Sequence, residues 1–351
     1  MKIKPDKIEK QALESIRKVF GKVPFLKLKS IEQNVLNTLD TVDFCVTVES
    51  AGVLAKIAVE VKTSGEPRYA RQAIQQLSRI IGNNQCSYGI FLAPYISPQS
   101  ADLCAQSSVG TIDFSGNCRI SFDQVYIESE GMPNKFTERR NIRSLYSPKA
   151  SRVLRVLLVN PKKSWKTQEL ADEAKVSLGQ VANVKKLLAD REWISETDTG
   201  ILLSRSSDLL SEWSENYSYE KNEIYDYYSF KQPADIENDL ASYCDKKNIE
   251  YALTGFSGAN RTAPTVRGQR VMAYVSIIND DLESALNLKK VSSGANVSLF
   301  VPYDEGVYYG CMENIIRVVS PIQLYLDLKK YKGRGEEAAE TIRNQIIDKS
   351  W

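Results

Sequence analysis

The sequence predicts an α/β domain over residues 1–133, a mostly helical module over 148–210 and an α+β domain over 234–351. Three observations carry this. A length of 351 residues, at about 150 per domain, suits two or three domains. Apolar periodicity switches between strand-like and helix-like spacing throughout the first 133 residues. Charge is also unevenly spread. Residues 135–191 hold 14 Lys/Arg against 5 Asp/Glu, a net of +9, although the whole chain is only +2. A basic linker over 134–147 carries Lys135, Arg139, Arg140 and Arg143, and a tyrosine-rich connector spans 211–233.

The first module opens with an amphipathic helix whose apolar face is Ile8, Ala12, Ile16, Val19 and Phe20. Strands follow at 42–48 and 54–62, then a helix from Tyr69 to Ile81 with Ala73, Ile74, Leu77 and Ile81 turned inward. A buried strand (88–93), a helix (97–107) and strands near 109–114, 117–122 and 124–128 complete it, with Gly110 and Gly116 at turns. Such alternation makes one sheet with helices on its faces.

Composition narrows the chemistry. The chain contains no histidine, which excludes Ser-His-Asp triads, Cys-His dyads and histidine-ligated metals. Its six cysteines, at 45, 86, 104, 118, 244 and 311, include no C-x-x-C pair, so zinc is not expected. Catalysis would fall to carboxylates, lysine, tyrosine or a free cysteine, with a hard cation. No apolar run nears the roughly 18 residues of a membrane span, and the first residues lack a secretory h-region. A soluble cytoplasmic protein is expected.

One hairpin stands out. Alternation over Val42-Asp-Phe-Cys-Val-Thr-Val48 sends Val42, Phe44, Val46 and Val48 to one face and Asp43, Cys45 and Thr47 to the other. In the next strand Ile57, Val59 and Val61 share a face, and Glu60 and Lys62 the opposite one. A turn at Ala51-Gly52 sets Asp43 directly across from Glu60. Opposed residues have Cβ atoms roughly 4.5–5.5 Å apart, and two carboxylates there need a proton or a cation. Magnesium (or manganese) suits one or two carboxylates plus waters, and would activate a water for attack on a phosphate. Asp43 and Glu60 are the candidate metal ligands, with Lys62 beside them.

The pattern Asp43, then Glu60-x-Lys62, resembles the PD-(D/E)xK phosphodiesterases, specifically their Mrr-like and RecB-like members. That resemblance implies a restriction-endonuclease-like α/β fold and catalytic roles for Asp43, Glu60, Lys62, Gln72 and Gln76. The two glutamines lie four apart on one helix, with Arg68 and Arg71 nearby. The Asp113-Phe-Ser-Gly116 strand end is similar to that of Mrr-like domains, and either Glu9 or Glu14 could add a ligand.

In the second module a helix over 149–159 with core residues Val153, Leu154, Leu157 and Leu158 ends at Pro161. Thr167 is expected to cap a second helix, 168–174, and Ser177 a third, Leu178 to Asp190. Val181, Val184, Leu187 and Leu188 point inward; Gln180, Asn183, Lys185 and Lys186 point outward. A hairpin over 193–203, turning near Asp198-Thr-Gly200, completes the layout of a winged helix-turn-helix. Gln180 and Asn183 could read adenine edges, while Ser177, Lys185 and Lys186 hold phosphates of double-stranded DNA.

The third module tempts a nucleotidyltransferase reading at Gly255-Phe-Ser257, but the strand Val271–Ile277 lacks the acidic pair such an enzyme needs. The Gln-Leu-Tyr-Leu-Asp-Leu helix near the C-terminus, followed by Gly-Arg-Gly-Glu-Glu-Ala-Ala, is similar to the C-terminal region of AbiEi-family antitoxins of type IV toxin–antitoxin systems. With the winged helix and Thr254-Gly-Phe-Ser257, the resemblance covers about residues 148–345. It implies a transcriptional repressor of its own operon that counters a nucleotidyltransferase toxin. Two expectations follow: a Mg²⁺-dependent endonuclease targeted to duplex DNA by its winged helix, or an antitoxin-type repressor with a non-cleaving nuclease-like domain. A homodimer would suit a two-fold DNA site.

Overall fold

The computed structural model describes residues 5–37, 40–83, 85–136, 145–263, 270–313, 315–331 and 334–351. Arg139, Arg140 and Arg143 of the expected basic linker lie outside them. The chain divides into two compact units: Met1–Ile142 with Leu187–Glu192, and Arg143–Lys186 with Trp193–Trp351. Among the described residues no helix is long and apolar enough to cross a membrane.

Helix α1 (Pro5–Phe20) of the first unit precedes an antiparallel meander of β1 (Leu26–Asn37), β2 (Asp40–Ser50) and β3 (Val53–Val61). Helix α2 (Pro67–Gly82) crosses over to β4 (Tyr88–Ala93), and α3 (Pro98–Gln106) to β5 (Gly110–Asp113); β3, β4 and β5 are parallel. Strands β6 (Cys118–Phe122) and β7 (Val125–Ser129) return antiparallel, so the seven strands lie in chain order. This is a mixed α/β architecture with one large sheet. On one face Ala12, Ile16 and Phe20 of α1 bury against Phe44, Val46, Val48, Ile57 and Val59. On the other, Ala70, Ala73, Leu77 and Ile80 of α2 pack on Cys45, Ala58 and Phe91.

The β2–β3 turn fixes the register. Ala51 (φ 50°) and Gly52 (φ 84°) both occupy the left-handed region, as a two-residue turn between right-twisted strands requires. The ladder then runs from Ser50↔Val53 to Phe44↔Val59, the register expected from sequence. Val42 departs from it. Alternation assigned it to the Phe44 face, but it packs in the α2-side core. Pairing with β3 ends at Phe44, and Gln76 of α2 donates to the Thr41 carbonyl at 2.8 Å, so the start of β2 is held toward α2.

The second unit begins with α4 (Pro148–Val159), α5 (Thr167–Glu173) and α6 (Leu178–Asp190, whose residues from Leu187 on belong to the first unit), followed by a ribbon of β8 (Ile194–Thr197) and β9 (Gly200–Leu203). Thr167 does not cap α5. Lys166 holds that position with no side-chain hydrogen bond, and Thr167 is already helical. Gly200 sits where a Cβ would lie 2.2 Å from the Trp165 carbonyl oxygen, because Trp165 and Ile201 exchange backbone hydrogen bonds there.

Helix α7 (Ser206–Asn216) leads to a five-stranded sheet ordered β11 (Tyr251–Leu253), β12 (Val271–Val275), β14 (Val297–Val301), β10 (Glu223–Tyr228) and β13 (Lys289–Lys290). Around it lie α8 (Pro233–Lys247), α9 (Gly255–Thr262), α10 (Asp280–Ala285), α11 (Pro321–Lys329) and α12 (Arg334–Ile342). The tyrosines of 211–233 are largely structural: Tyr227 is fully buried in the sheet core, and Tyr219 stacks on Tyr331 at 5.1 Å between centroids.

Candidate functional sites

The acidic hairpin of the first unit brings four of the five expected residues together. β2 and β3 supply Asp43 and Glu60, Lys62 follows directly, and α2 lays Gln76 over them. Asp43 Oδ2 accepts the Val61 amide at 2.7 Å, replacing a ladder bond at the point where pairing stops. Glu60 is buried, and both its oxygens are engaged: Oε1 accepts from Lys62 Nζ at 2.6 Å and Oε2 from Gln76 Nε2 at 2.8 Å. Burial pushes its carboxyl above the ordinary range; the Lys62 hydrogen bond opposes this, and the nearby Asp43 charge adds to the rise. The two acids are therefore electrostatic neighbours.

Gln72 is exposed one turn earlier on α2, and no hydrogen bond joins it to this cluster. Among the described residues no group of three acidic or cysteine side chains could hold a metal. Glu9 and Glu14 are exposed on α1, whose buried side packs against the face of the sheet away from α2. Asp113 is a turn residue: its Oδ1 accepts the Gly116 and Asn117 amides, each at 2.9 Å.

The second candidate is the surface of α6. Val181, Val184, Leu187 and Leu188 are buried, which leaves Asn183 and Lys186 exposed and Gln180 and Lys185 half-buried, as the helical spacing predicts. Ser177 Oγ accepts the Gln180 amide at 3.3 Å, an N-cap contact. Lys185 is held by Glu196 of the ribbon at 3.0 Å, whereas the Lys186 side chain stands exposed. Gln180 Nε2 is a buried donor without an acceptor among the described residues, beside a groove lined by Lys149, Asp172, Lys175 and Ser177. Leu178, not singled out from sequence, is 49% exposed at the first position of α6.

A third feature was not anticipated. Asp327 on α11 is buried and accepts hydrogen bonds from Tyr217 (2.5 Å), Thr254 (2.6 Å), Tyr274 (3.0 Å) and Gln323 (3.0 Å). Burial still raises its carboxyl above the usual range. Gln323 Oε1 in turn accepts from Arg155 of α4, whose guanidinium lies 5.0 Å from the Trp213 ring centroid. On the neighbouring turn Arg152 is bonded to Asp304 and Glu305. No short motif signals this network, because bonded partners in it lie up to 168 residues apart.

Residues 202–348 match a family model. Its description is a transcriptional regulator, the AbiEi antitoxin of type IV toxin–antitoxin systems. The matched region starts at β9 and runs through α12, so it contains Asp327 and its four donors but not α4 with Arg155, nor α5 or α6. It is shorter than the 148–345 expected from sequence and covers less than half of the chain. No curated protein and no solved structure matches. The comparisons lend no support to the nuclease resemblance of the first unit.

Proposed function

We propose that the chain is a DNA-binding transcriptional regulator of the AbiEi antitoxin type, with α4, α5, α6 and the β8–β9 ribbon acting as its winged helix. The observation that carries the reading is the AbiEi match over residues 202–348, which begins inside the ribbon. The α6 surface supports it. Asn183 presents an exposed amide side chain for a base edge in a major groove, Lys186 an exposed charge for phosphate, and Ser177 a hydroxyl at a helix N-terminus, while the Gln180 amide nitrogen is buried. The partners under this reading are double-stranded DNA at a two-fold site, a second copy of the chain, and a toxin encoded alongside. The test is a reporter driven by the region upstream of the chain's own gene. Supplying the protein in trans should lower reporter output, and an unchanged output counts against the proposal.

A second reading assigns the first unit a Mg²⁺-dependent phosphodiesterase role. It is favoured by the meeting of Asp43, Glu60, Lys62 and Gln76 where the β2–β3 ladder ends, and by an element order compatible with a restriction-endonuclease-like domain. The donor set meets the minimum for magnesium, two carboxylates with the remaining positions left to water. Asp43 and Glu60 would hold the ion, which when bound would supply an activated water and charge stabilisation at phosphate. The chain's own part is to keep Glu60 oriented between Lys62 and Gln76, with the Lys62 ammonium placed for an anionic phosphate. Plasmid cleavage in Mg²⁺ that is lost in Asp43→Ala and in Lys62→Ala would uphold this reading. Intact plasmid with the unaltered protein would remove it.

A further inference from the structure

Neither reading uses the turn Thr254-Gly-Phe-Ser257, which lacks the acidic partner strand of a nucleotidyltransferase. The turn opens α9, and helical spacing puts Ser257, Asn260 and Arg261 on one face at i, i+3 and i+4. That face lines a cavity of about 250 Å³, shared with Ala234 and Glu237 from the first turns of α8 and with Arg270 just before β12. All of these residues belong to the second unit. We propose that this cavity binds the phosphate group of a small phosphorylated ligand.

The wall of the cavity is rich in donors that have capacity to spare. Arg261 spends Nε and Nη2 on Glu237 Oε2, at 2.8 and 2.7 Å. Arg270 spends Nε on Ser298 Oγ at 2.9 Å and Nη2 on Asp226 Oδ1 at 2.6 Å. In both guanidiniums Nη1 has no acceptor among the described residues. Ser257 is only 4% exposed; its Oγ accepts the Met272 amide at 3.1 Å, and its hydroxyl proton meets no acceptor among the described residues. The Ala234 amide precedes the hydrogen-bond ladder of α8, and the Gln232 side chain does not cap that helix. Among the described residues of the wall Glu237 is the one acid, set against two guanidiniums, so the wall is net positive. A phosphate monoester carries nearly two negative charges and three strong acceptor oxygens, enough to meet the two Nη1 groups, the Ser257 hydroxyl and the Asn260 amide together. The positive end of the 15-residue α8 adds to the attraction. A carboxylate, with two oxygens and one charge, would leave part of this donor set unmet. The cavity has room for several waters at about 30 Å³ each, so either a phosphate ester or inorganic phosphate supplies the same chemistry.

The experiment follows thermal unfolding of the full-length protein as sodium phosphate, adenosine 5′-monophosphate or malonate is added, with ionic strength held constant by sodium chloride. The expected result is a saturable rise of the midpoint with phosphate or the nucleotide and none with malonate. Arg261→Gln and Arg270→Gln should each weaken that binding about tenfold or more, the scale of a lost charge-assisted hydrogen bond, and the exposed Arg79→Gln should leave it unchanged. A nucleotide that binds more tightly than phosphate marks the ester as the ligand; one that binds no more tightly marks the free ion. Phenylglyoxal modification of the unaltered chain, mapped by mass spectrometry, locates the site without any variant: phosphate should shield Arg261 and Arg270. The inference is overturned if malonate or chloride moves the midpoint as phosphate does, or if Arg261 and Arg270 are modified equally with and without phosphate.

Discussion

Glu60 ionises at a cost. Burial raises its carboxyl, and Lys62 recovers only part of the loss. A carboxyl with a raised folded-state pKa contributes its stability below the unfolded pKa, near 4.3, and loses it as pH climbs through the folded value. Glu60→Gln keeps the shape and an acceptor for Lys62, so its stability relative to the native sequence should rise between pH 4 and pH 8. Urea unfolding at several pH values checks this, and a difference that shrinks with pH would mean the carboxylate is held below its usual range. Asp43 illustrates what sequence reveals at this scale. The β2–β3 register was legible from alternation and a two-residue turn, but the ladder stops at Phe44↔Val59, short of the expected Asp43–Glu60 pair, and the bond of Asp43 to the Val61 amide depends on where it stops.

Most individual elements were legible because their periodicity is local. α1 and α6 bury most of the apolar stripes their spacing marks, and β4, buried throughout, reads as a continuous apolar run; α2 buries Ala73 and Leu77 as expected but turns Ala70 and Ile80 inward, leaving Ile74 and Ile81 half-buried. β1 was not anticipated. Its Leu-Lys-Leu-Lys start is broken by a bulge between Leu28 and Ser30, and an edge strand with lysines carries a weak apolar signal. Helix α6 bears the sharpest element-scale prediction. If it lies in a major groove, Asn183→Ala should cost about 1–3 kcal/mol of discrimination for the cognate site. Lys186→Ala should weaken specific and random DNA alike and reduce the salt slope by about one. Anisotropy titrations over a salt series separate the two, and equal losses of specificity would contradict the assignment.

Across the second unit, the Asp327 network joins α4, the end of α7, β12, the start of α9 and α11. Sequence could not show it, since a buried carboxylate with four donors is built from residues scattered over both ends of the unit. Asp327→Ala would leave those donors without their acceptor and should destabilise by about 3–5 kcal/mol, the scale for breaking a buried, hydrogen-bonded charge. A urea midpoint that does not move would refute that role. Arg155 and Arg152 anchor α4 to the region matched by the AbiEi model, so α4 and that region belong to one compact unit. The most direct test of the regulator account is the affinity of the purified protein for duplex DNA from upstream of its own gene, against a shuffled duplex of equal length at one salt concentration. The account predicts binding tighter by a factor of about 10³ or more; equal affinities for the two duplexes would contradict it.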